Sequence, residues 1–128
     1  GNYKEENPVY PVNAYAWSKL GGECAVQMYK NSLIIRACMT EYPFIHKFAY
    51  SNMFTNFIFH KDFIKILEKV LHVRGILNIG GPGKSVYSFA KKNNPNIKKL
   101  KLKSTKKINM PLNSLMNLTK LNKILKKK

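Results

Sequence analysis

The chain is short of acid, of cysteine and of long apolar runs, and each shortage excludes something. Six Asp and Glu stand against 23 Lys and Arg over 128 residues, a formal charge of +17. No apolar stretch approaches the roughly eighteen residues that a bilayer-crossing helix needs, and no basic-then-apolar leader opens the chain. A membrane-spanning role is therefore not expected. The two cysteines, Cys24 and Cys38, lack metal-type spacing, and His60 and His72 flank a helical stretch without a shared ligand partner. Free thiols in a cytoplasmic protein, and no metal site, are the expectation. The length suffices for one modest domain with a real core. Because the chain starts at Gly1 in loop-like sequence, residues 1–128 are expected to form a single partial domain of a longer protein.

The basic excess is uneven. Residues 1–90 carry ten Lys and Arg against six Asp and Glu, whereas 91–128 carry thirteen Lys and no acid. Such a run can bind nucleic acid or an anionic surface. Neither an Arg cluster nor aromatic interleaving accompanies it, which argues against nucleic acid as the partner. Abundant Lys, Asn and Ile also follow from an AT-rich coding sequence without selection for binding.

The informative stretch runs from Pro11 to Glu23, reading Pro-Val-Asn-Ala-Tyr-Ala-Trp-Ser-Lys-Leu-Gly-Gly-Glu. Asn13 is a candidate N-cap for a helix over about residues 14–30, which Asn31 stops. Tyr15 and Lys19 are four apart, so on that helix they share a face. A cation close to a phenol favours the phenolate and brings tyrosine towards the working range of an acid/base catalyst. Ala16, Leu20, Cys24, Val26 and Met28 offer an apolar side, with Cys24 expected on the buried face. Gly21 and Gly22 would let another backbone come close.

Residues 32–37 read as a short, mostly buried strand, with Cys38 just past it. Residues 38–59 are rich in aromatics without a clean period, and packing is the commoner role for Phe than lining a pocket. His46 reads as a loop residue rather than a substrate contact. A helix over 61–72 would bury Phe63, Ile64, Leu67, Val70 and Leu71. Gly75 ends it, and 76–79 form a second buried strand. The following Gly80-Gly81-Pro82-Gly83-Lys84-Ser85 invites comparison with a phosphate loop. That pattern needs Gly where Asn78 stands, and Pro82 removes a backbone donor, so the comparison fails. A helix over 85–92, a Lys-flanked edge strand over 97–103 and a terminal helix over 118–125 with a frayed poly-Lys end complete the chain.

The Tyr helix and its surroundings resemble the active-site helix of extended short-chain dehydrogenases/reductases. The likeness is strongest to the dTDP-4-dehydrorhamnose reductase-like branch of the NAD-dependent epimerase/dehydratase superfamily. The residues leading into the helix (3–8), the 80–90 turn and helix, and the Pro111-x-x-Ser114-x-Met116 segment resemble the same branch. Met110 stands where many relatives have Arg. The resemblance implies an α/β fold, the C-terminal part of a Rossmann-like parallel sheet with a small substrate-binding portion. Two apolar strands separated by helical segments fit that class independently.

The resemblance also implies roles. Tyr15 would exchange a proton with a substrate carbonyl, and Lys19 would hydrogen-bond the nicotinamide ribose. Both would face the C-terminal edge of the sheet. Ala37, Cys38 and Met39 would lie at the cofactor, NAD or NADP, and Thr40 and Glu41 at a nucleotide-sugar substrate. The implied activity is NAD(P)-dependent reduction of a nucleotide-linked 4-keto sugar. An epimerase or dehydratase is the enzymatic alternative, and a non-catalytic basic binding or regulatory module the other. A homodimer is compatible with either enzyme. The sequence contains no Gly-x-x-Gly-x-x-Gly or Gly-x-Gly-x-x-Gly turn, and the family's catalytic Ser/Thr would lie upstream of Gly1.

Overall fold

In a computed structural model of the chain, residues 1–103 and 110–126 are described. It is a mixed α/β structure built on parallel strand pairs. Helix α1 (Ala14–Gln27) begins where a short polar side chain satisfies a free amide: Asn13 Oδ1 accepts from Ala16 N at 2.9 Å. The helix ends three residues earlier than the sequence predicts. Ser32 is the reason, because its hydroxyl donates to the carbonyls of Tyr29 (2.6 Å) and Val26 (3.3 Å) and closes the last turn.

Strand β1 (Leu33–Ala37) pairs in parallel with β6 (Gly75–Ile79), Ile35 opposite Leu77. Between them lie β2 (Met39–Thr40), β3 (Phe48–Tyr50), β4 (Phe54–Thr55), β5 (Ile58–Phe59) and helix α2 (His60–Val70). β2 pairs in parallel with β5. The main core joins Val70 of α2, Leu77 and Ile79 of β6, and Leu121 of the terminal helix α4 (Thr119–Lys126). Of the stripe expected on α2, Ile64 and Leu71 are exposed, while Ile66 packs inward with Phe63 and Val70. Positions 64, 67 and 71 keep the helical spacing as well as 63, 66, 67 and 70 do, but 64 and 71 sit on a flank that is left exposed.

A second core gathers the aromatic stretch. Phe44, Ala49, Val86, Ala90 and Ile97 are buried, with Phe57 and Phe89 packed against them. Strand β7 (Lys84–Ser85) pairs antiparallel with β4, and Ser85 caps helix α3 (Val86–Asn93) by accepting from Ser88 N at 3.1 Å. The Gly-Lys-Ser stretch is thus a strand edge and a helix cap. Gly81 is needed there because a Cβ would collide with the Phe57 carbonyl oxygen. The Lys-flanked strand β8 (Lys98–Leu100) pairs in parallel with β3, and residues 101–103 fall outside it. Asn52 fixes the chain beyond, donating to Leu102 O at 3.0 Å and accepting from Leu102 N at 2.8 Å. Of the Lys-rich end, Lys127 and Lys128 lie outside the described residues.

Candidate functional site

The helical spacing of Tyr15 and Lys19 produces the expected meeting. Lys19 Nζ stands 5.2 Å from the centroid of the Tyr15 ring. Both border a cavity of about 830 Å³ that also runs along β1 and on through Cys38 to Met39 at the start of β2, so it includes Ala37, Cys38 and Met39. Thr55, Ser114 and Met116 close it from other parts of the chain. Thr40 and Glu41 are not among its walls: Thr40 is buried and Glu41 is exposed. The cavity therefore brings together five of the seven residues singled out from the sequence.

The apolar side expected of α1 packs only in part: Ala16 and Leu20 are half-buried. No residue of the helix is buried, and Cys24, Val26 and Met28 are exposed. Gly21 and Gly22 have open space where a Cβ would point, so neither is a close-approach site. Tyr15, Lys19, Glu23 and Val26 border the cavity, so the helix face turned to β1 lies across that space from the strand instead of packing on it. Its anchor is ionic: Arg36 of β1 grips Glu23 through both carboxylate oxygens, at 2.5 and 3.0 Å.

That anchor belongs to a buried polar network that the sequence does not announce. Arg36 Nη1 donates to the Glu5 carbonyl at 3.2 Å, and the Glu5 carboxylate accepts from Asn78 N at 3.1 Å. Asn78, fully buried in β6, donates to the carbonyls of Tyr3 (3.0 Å) and Asn117 (3.3 Å). The one available signal is Arg36 itself, a lone charge inside an apolar strand, which demands a partner. Asn56 plays a similar part elsewhere, donating to Gly81 O at 2.9 Å and accepting from Met116 N at 2.7 Å. The 110–117 segment thereby reaches the cavity rim.

Cys38 is half-buried on the cavity wall, and burial pushes its thiol above the usual range, only partly offset by a hydrogen bond with Thr55. It is therefore a neutral wall group at pH 7. A raised folded-state value stabilises the fold fully below the ordinary cysteine range of about 8.5 and loses that contribution as pH rises through the folded value. Urea midpoints measured from about pH 7.5 to 9.5, a window spanning that ordinary value, should fall with pH, and Cys38→Ala should flatten the decline. An unchanged slope in that variant would refute the assignment.

The aromatics divide between packing and lining. Phe57, Phe59 and Phe89 border a second cavity of about 420 Å³ together with Lys84 and Lys92. His46 is an exposed loop side chain whose ring stands 5.2 Å from that of Phe44. Among the described residues no His, Cys, Asp and Glu cluster suited to a metal ion occurs, and no helix is long and apolar enough to cross a membrane.

No family model matches the chain, and no curated protein matches it significantly. Solved structures do. A hypothetical dTDP-4-dehydrorhamnose reductase from Sulfolobus tokodaii superposes with a TM-score of 0.81 at 23% identity, over 97% of this chain and 52% of that one. A dTDP-4-dehydrorhamnose reductase from Bacillus anthracis, in complex with NADP, gives 0.75 at 19%, over 94% and 52%. A Streptomyces venezuelae dTDP-glucose 4,6-dehydratase double mutant with NAD and DAU bound gives 0.69 at 17%, over 96% and 48%. The chain therefore has the fold of about half of a dTDP-4-dehydrorhamnose reductase or of a dTDP-glucose 4,6-dehydratase.

Proposed function

We propose that this chain supplies the Tyr/Lys part of the active site of an NAD(P)-dependent reductase of a nucleotide-linked 4-keto sugar. In this reading it is the C-terminal part of an extended short-chain dehydrogenase, a single partial domain with a small substrate-binding portion. The observation that carries the reading is the Lys19 ammonium over the Tyr15 ring, beside a cavity bordered by Ala37, Cys38 and Met39.

The cavity suits the nicotinamide end of a dinucleotide. It has room for a ring and its ribose, and Lys19 forms no ion pair among the described residues, leaving its donors available to hydroxyls. The pyrophosphate finds no such fit, because the sequence has no Gly-x-x-Gly-x-x-Gly or Gly-x-Gly-x-x-Gly turn, and the Gly80–Gly83 turn before α3 carries Pro82 in place of a backbone donor. When bound, the nicotinamide supplies or accepts the hydride. Tyr15 Oη holds the proton that passes to the sugar's carbonyl oxygen, and takes it back in the reverse direction. Lys19 orients the ribose and keeps positive charge beside the phenol. Thr40 and Glu41 do not line this cavity and carry no part of the reading. The same Tyr15 and Lys19 would serve a dehydratase or epimerase, a second reading with which the superposition on the NAD-bound dehydratase is compatible.

The reading is tested by reduction of a dTDP-linked 4-keto sugar with NADH or NADPH, by the chain combined with a dinucleotide-binding segment. Consumption of reduced cofactor without a reduced sugar product would point to another substrate class, and no consumption at all would overturn the proposal. The 128 residues alone should show no sub-millimolar binding of NADH or NADPH by isothermal titration, since the pyrophosphate lacks its cradle. Tighter binding would mean that the phosphates are held by something other than a dinucleotide-type glycine turn.

A further inference from the structure

Resting on that reading of Tyr15 and Lys19, we propose that Arg36 is a positioning residue: it holds the Glu23 carboxylate and so leaves the Lys19 ammonium to Tyr15. Tyr15, Lys19 and Glu23 follow one another at intervals of four, which stacks them on one face of α1. All three border the same cavity, as does Arg36. Lys19 and Glu23 are thus natural helix neighbours of opposite charge, a pairing that α1 does not use.

The structure resolves this competition in favour of Arg36. Its Nε and Nη2 reach Glu23 Oε2 and Oε1 at 3.0 and 2.5 Å, a two-pronged grip that a lysine does not make. Glu23 is withdrawn from water, its side chain 11% exposed, so it needs a cation more than a surface carboxylate would. Gln27 adds a donor at 3.3 Å, and the third prong of Arg36 is fixed on the Glu5 carbonyl. No carboxylate among the described residues lies within 4.0 Å of Lys19, whose contact is the Tyr15 ring. Without Arg36, a half-buried carboxylate would remain one turn from Lys19. The ammonium would swing towards it and away from the phenol.

The test uses the 128-residue chain and needs no turnover. The Lys19 side-chain methylenes next to the ammonium should show an upfield ring-current shift in NMR spectra, assigned by its disappearance in Tyr15→Leu. Arg36→Met should abolish that shift while the amide pattern of β1 and β6 persists. The double variant Arg36→Met with Glu23→Gln should restore it, because the competing charge is gone. A merely structural arginine would not be rescued by removing its partner. Should Arg36→Met fail to fold, Arg36→Gln, which keeps a donor for the Glu5 carbonyl, should lose the shift in the same way. A Lys19 signal unmoved in the folded single variant, or unrestored in the double, would overturn the proposal. Either outcome leaves the activity assay independent, so failure of this inference and failure of the reductase reading are separately visible.

Discussion

Tyr15→Phe is expected to reduce carbonyl turnover by about 10²–10⁴ while leaving cofactor affinity and the fold in place. Such a loss corresponds to roughly 3–5 kcal/mol of barrier. The variant keeps the ring under the Lys19 ammonium and removes only the hydroxyl. The Tyr15 side chain is 70% exposed, so no packing is disturbed and no buried donor is orphaned. The measurement is kcat with NADH or NADPH for the chain combined with a dinucleotide-binding segment. Lys19→Met should behave differently, raising KM for the cofactor as well as lowering kcat, because it serves both ribose and phenol. Neutralising Lys126, Lys127 and Lys128 should leave turnover near that of the wild type. If the basic stretch were instead the working part, those changes would weaken polyanion binding and leave Tyr15→Phe silent. The log–log salt slope would then flatten by about 0.7–0.9 for each phosphate no longer neutralised. Turnover by Tyr15→Phe equal to wild type would end the proposed mechanism.

What can be read from the sequence is what local chemistry decides. The Asn13 cap, the Tyr15–Lys19 stacking and the rejection of a phosphate loop each depend on residues within a few positions of one another. Strands β1 and β6 are legible because apolar runs bounded by polar residues have few alternatives in an α/β chain. The failures share a different cause. Glu5 meets Asn78 across 73 positions, and Arg36 meets Glu5 across 31, and no local pattern encodes such meetings. The two-residue strands β2, β4, β5 and β7 exist only because a distant segment offers matching backbone groups. Without its partner, such a strand leaves no periodicity to detect. Helical period alone would place Cys24 and Ile64 inside. Period identifies a face, while burial requires something to cover it, and nothing in the described residues covers either side chain.

The core carries the other large expected effect. Leu77→Ala should destabilise the fold by about 2–5 kcal/mol, measured as the shift in urea midpoint with unchanged slope. Leu77 has no exposed surface and lies where β6 meets α2 and α4, against Val70 and Leu121. Parallel pairing also sets it opposite Ile35, so one face of the strand pair depends on it. Truncation removes apolar volume from a fully buried position, and the cost grows with the void that the neighbours leave unfilled. A domain of this size typically has only about 5–15 kcal/mol of stability to lose. Ile64→Ala is the matched control. It removes a similar apolar volume from α2, but Ile64 is 54% exposed. That change should fall within about 0.5 kcal/mol. Equal losses from the two variants would show that α2 buries the face read from the sequence rather than the one seen in the structure. Helix α2 would then have to be rotated relative to β6, and the cavity beside β1 would change with it.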